Sequence, residues 1–359
     1  MKRIQIIFLL MVLTFGGLTA QQMKTEKIIL ITLDGLRWQE LFTGADEWLI
    51  TNRNYVEDTT ALKDNFWADT PDERREMLMP FFWSTLASEG SLFGNRNLGS
   101  EVDLTNQMWF SYPGYNEILT GKADDENIHS NEKIPNPNTT VLEILNKTPK
   151  YEGKIAAFGS WDVFPYIINE ERSGVPVNAG FEPAAEKNLT ELEKSLNLLQ
   201  PLVPSPWGSV RLDAFTHYYA FEYLKKYKPD VLYIAYGETD DFAHDKKYDA
   251  YLTSAHRTDE FIREIWNWAQ NDPDYEGKTT LIISTDHGRG LQDEWTSHGI
   301  KIENANQTWF AAIGPDFKSL GEAKSQAKCF NNQYAATIAK LLGAKMPENA
   351  GKPLDVLLK

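Results

Sequence analysis

Five short runs of consecutive apolar residues constrain the fold of this chain more than any other feature. Each run has the length of one strand, lacks the alternation of a half-exposed strand, and ends in turn-forming or acidic residues. Strands that are apolar on both sides are typical of parallel sheets covered by helices on both faces. The runs cover residues 26–35, 154–160, 230–238, 279–286 and 308–315.

Helical patterns lie between these runs. One apolar stripe at helical spacing begins at Leu252 and continues to Ala269, and residues 332–344 form a second amphipathic pattern that closes at Gly343. Strands that alternate with helices predict an α/β fold with a mostly parallel central sheet and helices on both of its faces.

Chain length and composition are those of a protein with a full core. With 359 residues, 42% of them hydrophobic, the chain can bury one large α/β domain or two smaller ones, and we predict a single domain over 21–359. Segments 43–76 and 164–209 break the alternation of strands and helices. They are predicted to be insertions over the C-terminal ends of the strands, where α/β enzymes carry substrate loops.

The N-terminus has the pattern of a secretory signal. Two basic residues follow the initiator methionine, an apolar run occupies 4–18, and small residues precede Gln21. We therefore predict a cleavable signal over 1–20, a periplasmic or secreted protein, and no membrane span in the mature chain. Cys329 is the only cysteine, so no intrachain disulfide can form and stability must come from the core.

The formal net charge of −15 argues against a nucleic-acid polymer as a partner, because the phosphate backbone would be repelled. An anionic small-molecule substrate would feel the same repulsion. It would need a strong local positive source, and metal ions are the obvious one. Nothing in the sequence indicates an oligomeric state.

Polar residues gather where the predicted strands end. In open α/β sheets, ligands bind at these carboxyl ends. Each residue has a plain structural alternative: Asp34 and the Asp286-His287 pair could belong to ordinary turns, and Asp240 could cap a helix on which His244 packs. Their shared position at one end of one sheet predicts metal ligands instead. The residues are Asp34, Asp240, His244, Asp286, His287 and His298.

Ser111 is the candidate nucleophile. It stands two residues before Pro113 and ahead of a short helical run that ends at Thr120-Gly121. Such a serine can be a helix N-cap, and the same position stabilises an alkoxide and a bound phosphate through backbone N–H groups. Since no base is near in the sequence, a metal ion would have to activate it.

The order of these residues resembles the alkaline phosphatase superfamily. Within it, "SYPGYNEILTG" from Ser111 onward is similar to the nucleotide pyrophosphatase/phosphodiesterase branch, which has Thr or Ser, an aromatic residue and Pro, and later Thr-Gly. The segment 331–354 also resembles the closing helix and Gly-Lys-Pro-Leu of that family. The similarity extends from about residue 28 to 354, with gaps at the two insertions.

The resemblance implies two zinc ions and a covalent phosphoseryl intermediate on Ser111. Two such ions would clamp the attacking and leaving oxygens of an in-line displacement at phosphorus. The implied ligands are Asp34, Ser111, Asp286 and His287 for the first ion, and Asp240, His244 and His298 for the second.

Some positions depart from the resembled families. The diesterase branch has a phosphate-binding Asn about twenty residues after the nucleophile; Asn131 is the nearest match, and Asn127 is its rival. Sulfatases have Arg where this chain has Tyr115, so formylglycine chemistry is disfavoured. The basic residues that phosphomonoesterases place on the phosphate have no clear counterpart. The candidates are Arg37, Lys154, Arg172 and Arg289.

The sequence therefore predicts a metal-dependent hydrolase of small phosphate esters, with a phosphodiesterase favoured over a phosphomonoesterase. Sulfatase or phosphonate chemistry is a further alternative. A binding protein that kept the fold without catalysis would be expected to lack at least one ligand, and none is missing.

Overall fold

The computed structural model describes residues 23–324 and 327–359, so the predicted signal over 1–20 lies outside it. Within these ranges the strands form an eight-stranded sheet and a small three-stranded sheet. The strands are β1 (Lys27–Leu33), β2 (Ser91–Phe93), β3 (Ser100–Asp103), β4 (Ile155–Gly159), β5 (Val177–Ala179), β6 (Val231–Tyr236), β7 (Thr279–Ser284), β8 (Gln307–Thr308), β9 (Phe310–Ile313), β10 (Gly321–Glu322) and β11 (Ala327–Phe330).

The large sheet has the order β10-β2-β9-β7-β1-β6-β4-β5. Strand β1 lies at its centre, parallel to β6 on one side and to β7 on the other, with Leu33 opposite Tyr236 and Thr32 opposite Ser284. All five predicted runs are strands of this sheet. Only the last of them, β9, is antiparallel to its neighbours β7 and β2. The predicted mostly parallel sheet is confirmed.

Helices cover both faces of the sheet. Alternate residues of β1 enter different cores, Ile29 and Ile31 one of them and Ile28 and Leu30 the other. This is why the strand is apolar along its whole length. The helices are α1 (Trp38–Thr43), α2 (Thr59–Phe66), α3 (Pro71–Leu78), α4 (Ala87–Glu89), α5 (Ser111–Thr120), α6 (Val141–Asn146), α7 (Phe164–Ile167), α8 (Glu170–Ser173), α9 (Glu191–Leu199), α10 (Asp213–Tyr227), α11 (Glu238–His244), α12 (Tyr248–Asn271) and α13 (Tyr334–Leu341).

The predicted helical stripes correspond to α12 and α13. Segment 43–76, which has no periodic pattern, nevertheless contains α2 and most of α3. Their ends are set by capping: Asp58 accepts from two backbone N–H groups at the start of α2, and Thr70 and Glu73 form a capping box at the start of α3. In such short helices, hydrogen bonds from the capping residues stabilise the helix although a long apolar stripe is missing.

Segment 164–209 forms one strand of the large sheet, and its other residues lie outside the sheet. Its residues Val177–Ala179 form the edge strand β5, which pairs in parallel with β4. Helix α9 follows, with a capping box between Thr190 and Glu193. Among the described residues, no helix combines the length and apolar character needed to cross a membrane.

Candidate metal centre

Three neighbouring strands bring three aspartates together. Asp34 directly follows β1, Asp286 comes two residues after β7, and Asp240 lies on α11, which begins just beyond β6. Because β6, β1 and β7 are adjacent and parallel, their carboxyl ends meet at one edge of the sheet. All three carboxylates are buried there.

His287 lies at the centre of the first group of side chains. Its Nε2 atom is 3.2 Å from Oδ1 of Asp34, 3.5 Å from Oδ2 of Asp286 and 3.6 Å from Oδ1 of Asp240. The hydroxyl oxygen of Ser111 is 3.4 Å from the same nitrogen. Asp34, Asp286 and His287 thus form a group with the spacing of metal ligands.

The second group surrounds Asp240. Oδ2 of Asp240 lies 3.2 Å from Nε2 of His244, one helical turn further along α11. Nε2 of His298 lies 2.9 Å from the same imidazole nitrogen and 3.7 Å from Oδ1 of Asp240. The side chain of His244 is 43% exposed, whereas that of His287 is fully buried. The site therefore opens to solvent at His244.

One carboxylate oxygen of Asp34 and one of Asp286 make no hydrogen bond among the described residues. Tyr115 donates to Oδ2 of Asp34 at 2.8 Å, and the backbone N–H of Gly35 donates to Oδ1 of Asp286 at 3.1 Å. The other oxygen of each carboxylate, Oδ1 of Asp34 and Oδ2 of Asp286, has no hydrogen-bond partner within 23–324 and 327–359. Nδ1 of His287 bonds to a backbone carbonyl at 2.9 Å, which leaves Nε2 toward the site.

This donor set fits zinc. Carboxylate oxygens and imidazole nitrogens are its usual ligands, and buried polar atoms are otherwise almost always paired. The bare oxygens of Asp34 and Asp286 are therefore the structural feature that a bound cation would explain.

The electrostatics of the site also favour a bound cation. Burial and the neighbouring carboxylates raise the pKa of Asp34 and raise that of Asp286 well above its ordinary value. Burial also disfavours the ionised form of Asp240, yet the guanidinium of Arg289 and the nearby imidazoles hold its pKa well below the usual range. Burial opposes protonation of His287, but Asp286, Asp34 and Asp240 raise its pKa to about 9. The cluster has surplus negative charge, which a cation would neutralise.

Ser111 is the first residue of α5. The N-cap position belongs to Phe110, and the serine side chain makes no capping bond, so the N-cap alternative is wrong. Gly114, one turn further, lies against the backbone of Asp286, where a Cβ atom would collide with the carbonyl oxygen. The glycine allows α5 to approach the β7 loop closely enough for Ser111 to reach His287.

Of the two candidate asparagines, Asn131 lies beside the start of α5. Its Oδ1 accepts a hydrogen bond from the backbone N–H of Tyr112 at 3.0 Å, and its side chain is exposed. Asn127 instead donates to Asp124 at 2.9 Å in a neighbouring turn. The structure brings Asn131 next to Ser111.

The four basic candidates are all bound to protein acceptors. Arg37 pairs with Glu40 and donates to the carbonyl of Gly290, while Arg289 pairs with Asp240. Arg172 binds Glu143 at 2.8 Å. Lys154 is 3.5 Å from Asp230, which precedes β6 and so lies at the opposite end of the sheet.

Two contacts of the site were not predicted from the sequence. Tyr115 entered the sequence argument only as a departure from the sulfatase motif, and Arg289 only as a possible phosphate ligand. Their bonds to Asp34 and Asp240 join residues 81 and 49 positions apart. No local pattern indicates such pairs.

The remaining histidines lie away from this cluster. His217 is buried in α10, where it bonds to the hydroxyl of Tyr236 at 2.9 Å and to Glu264 at 3.0 Å. His256 of α12 bonds to the carbonyl of Leu78 at 2.8 Å. His129 is exposed on a loop.

The sequence matches no family model and no curated protein. Solved structures do resemble it. Alkaline phosphatase PafA superposes with a TM-score of 0.61 at 10% identity, covering 95% of this chain and 100% of its own. Lipoteichoic acid synthase LtaP from Listeria monocytogenes gives 0.57 at 13% identity, covering 93% and 76%. Murine ectonucleotide pyrophosphatase/phosphodiesterase 5 in complex with AMP gives 0.55 at 11% identity, covering 93% and 100%.

The chain has the alkaline phosphatase fold. The structures that resemble it belong to the alkaline phosphatase superfamily, and a sulfatase is among them. The fold expected from the resemblance is thereby confirmed. Since the identities are this low, the shared fold does not carry a substrate with it, and the activity has to be argued from the site itself.

Proposed function

We propose that this protein is a two-zinc hydrolase of phosphoric esters that acts through Ser111. The observation that carries the proposal is the convergence of carboxylate and imidazole groups at the carboxyl ends of the strands, where one buried oxygen each of Asp34 and Asp286 has no hydrogen-bond partner among the described residues. A structural polar cluster would instead pair these atoms within the protein.

The proposed ligands form two sets with different surroundings. The first set is deeply buried, whereas the second includes the exposed His244. When bound, the two ions would lower the pKa of the serine hydroxyl and neutralise charge on the attacking and leaving oxygens. The first set is Asp34, Ser111, Asp286 and His287, and the second is Asp240, His244 and His298.

The reaction proposed for Ser111 proceeds in two displacements. The hydroxyl of Ser111 gives its proton to solvent as Oγ attacks phosphorus; the P–Oγ bond forms, the bond from phosphorus to the leaving oxygen breaks, and the leaving group takes a proton from solvent. Water then attacks phosphorus and gives a proton to solvent, the P–Oγ bond breaks, and Oγ takes a proton back. Ser111 begins a ten-residue helix, whose positive N-terminal end would favour negative charge on the phosphoryl oxygens.

Asn131 is proposed to contribute a side-chain donor. Because its Oδ1 is held by the backbone N–H of Tyr112, its NH₂ group is the part that can donate to a phosphoryl oxygen. The bond to Tyr112 orients the amide before substrate arrives.

A diester fits the distribution of charge better than a monoester. A phosphate monoester carries more negative charge and needs additional cationic donors. Arg37, Arg172, Arg289 and Lys154 are all bound to protein groups. Lys133, two residues after Asn131, is paired with Asp162 at 2.7 Å. A phosphomonoesterase is the second candidate, and Tyr115 argues against a sulfatase.

We further propose that the substrate is a small molecule and that the protein works in the periplasm or outside the cell. The acidic chain disfavours a nucleic-acid polymer. The apolar run at 4–18 has the features of a secretory signal.

The deciding experiment compares three nitrophenyl substrates on protein whose zinc content has been measured. We expect the highest kcat/KM for a methyl phosphodiester, a lower value for the phosphate monoester and the lowest for the sulfate ester. A kcat/KM for the monoester far above that for the diester would favour the second candidate, a phosphomonoesterase. If zinc-loaded protein turns over none of the three substrates, the proposed hydrolase activity is wrong.

A further inference from the structure

Arg289 is a fully buried arginine with every side of its guanidinium in use. It pairs with Oδ1 of Asp240. Its Nε donates to the carbonyl of Trp295 at 2.6 Å, and its Nη2 donates to the carbonyl of Thr296 at 2.9 Å. The same Nη2 lies 3.4 Å from Nδ1 of His244. The side chain therefore cannot reach a substrate.

These contacts join the two segments that carry the second ligand set. Asp240 and His244 are on α11. Trp295 and Thr296 belong to the 3₁₀ turn at Gln292–Thr296, which leads directly to His298. A planar guanidinium with donors on several edges can fix such segments relative to one another, whereas an ammonium group is a single point of contact.

We propose that Arg289 is a positioning residue for the second ion site. It orients the Asp240 carboxylate, and it holds the turn before His298 in register with α11. The inference rests on the proposed function, because it assigns a role toward an ion that those ligands would bind. Groups of this kind next to metal ligands commonly change metal affinity by roughly 10- to 100-fold.

Arg289→Lys separates this role from a purely electrostatic one. Lysine keeps the buried charge beside Asp240, so a purely electrostatic role predicts an unchanged zinc affinity. A positioning role predicts weaker binding, because the planar set of donors is lost.

The first site should not respond. The carboxylates of Asp34 and Asp286 are oriented by Tyr115 and by the backbone N–H of Gly35, not by Arg289. A positioning role thus predicts weaker binding of only one of the two zinc ions. A general loss of stability would weaken the binding of both.

The test is a zinc titration of metal-free full-length protein in competition with a chromophoric chelator. Wild type is expected to bind two ions, and His298→Ala identifies the step of the second site by losing it. In Arg289→Lys and Arg289→Met we expect that same step to weaken by roughly 10- to 100-fold, with the other step unchanged. Turnover lost by Arg289→Lys should recover as free zinc is raised.

Arg211→Lys is the matched control. Arg211 is also fully buried, and it bonds to Thr216 and Asn178 with no contact to a proposed ligand. Its substitution should lower the melting temperature and leave both zinc affinities unchanged. If Arg289→Met does not unfold cooperatively, Arg289→Lys decides, since it keeps a charge and a donor at the site.

Unchanged or tighter binding of both ions by the Arg289 variants would overturn the inference and leave the proposed function intact. A wild-type protein that binds no zinc would instead contradict the proposed function. The two failures are distinguishable in the same titration.

Discussion

The hydroxyl oxygen of Ser111 lies 3.4 Å from Nε2 of His287, although the two residues are 176 positions apart. A serine beside an imidazole can be a nucleophile with its general base. Here burial opposes protonation of His287, but Asp286 and the other nearby carboxylates raise its pKa to about 9, which disfavours the neutral imidazole that a general base needs. The geometry fits the proposal that both side chains are ligands of one ion.

Metal dependence is the first consequence. Purified protein is expected to contain two zinc ions per chain, and excess EDTA should abolish turnover because both ligand sets would be emptied. Metal analysis together with the rate before and after chelation checks this. Full activity in EDTA, or active protein with far less than one zinc, would contradict it.

Ser111→Ala should lower turnover by at least ~10³ while the protein folds normally and keeps most of its zinc, because the covalent step would have no nucleophile. Ser111→Thr retains a hydroxyl and should keep measurable activity. Acid-quenched wild type should carry the phosphoryl group on the peptide that contains Ser111. Turnover close to wild type in the alanine variant would leave water as the direct nucleophile.

The histidines should fall into two classes. We expect His244→Ala, His287→Ala and His298→Ala each to lose activity by about 10³ or more, since each removes a proposed metal ligand. His217→Ala and His256→Ala should keep most of it, because both lie on helices away from the cluster. Steady-state rates for the five variants test the division, and equal losses in all five would refute it.

Tyr115→Phe removes the hydroxyl that holds Oδ2 of Asp34 and keeps the ring, which packs against Phe164 with centroids 4.8 Å apart. We expect normal folding and roughly 10- to 100-fold weaker zinc binding at the first site. Zinc competition titration measures it. Tyr151→Phe is the control, because the buried hydroxyl of Tyr151 bonds to the carbonyl of Leu342 and to no proposed ligand. Equal zinc affinity in the two variants would rule out a role of Tyr115 in zinc binding.

Asp259 offers a test of the core. Its two carboxylate oxygens accept from the backbone N–H groups of Phe81 and Phe82 at 2.7 and 3.0 Å. In Asp259→Asn only one acceptor remains, so the free energy of unfolding should fall by about 1–3 kcal/mol. Urea unfolding at pH 8, where the carboxyl is ionised, measures the difference.

The same variant has a predictable pH dependence. Burial raises the pKa of Asp259 from 3.8 to about 7. Because the folded value is the higher one, the stability this carboxyl contributes is greatest below pH 4 and is lost as the pH rises toward 7. The advantage of wild type over Asp259→Asn should therefore shrink between pH 5 and 8. A difference that stayed constant with pH would show that Asp259 does not titrate in this range.

Much of the sheet could be predicted from the sequence because its signal is local. A strand such as β1, buried on both faces, is a continuous apolar run, and the residue after it, Asp34, must lie at its carboxyl end. Capping residues likewise define α3 through Thr70 and Glu73, although the surrounding segment has no helical period. The candidate ligands were therefore recognisable one by one.

What the sequence by itself determined is the five apolar runs that form strands, the helices α12 and α13, and the polar residues that follow the strands, since hydrophobic burial and backbone preference act over a few neighbouring residues. Only the tertiary structure decided that β6, β1 and β7 are neighbours. The tertiary structure also places Ser111 close to His287 and brings Tyr115 within hydrogen-bond distance of Asp34. It likewise pairs Arg289 with Asp240. Such contacts depend on chain closure over tens to hundreds of residues and on the packing of whole elements, and no local pattern encodes either.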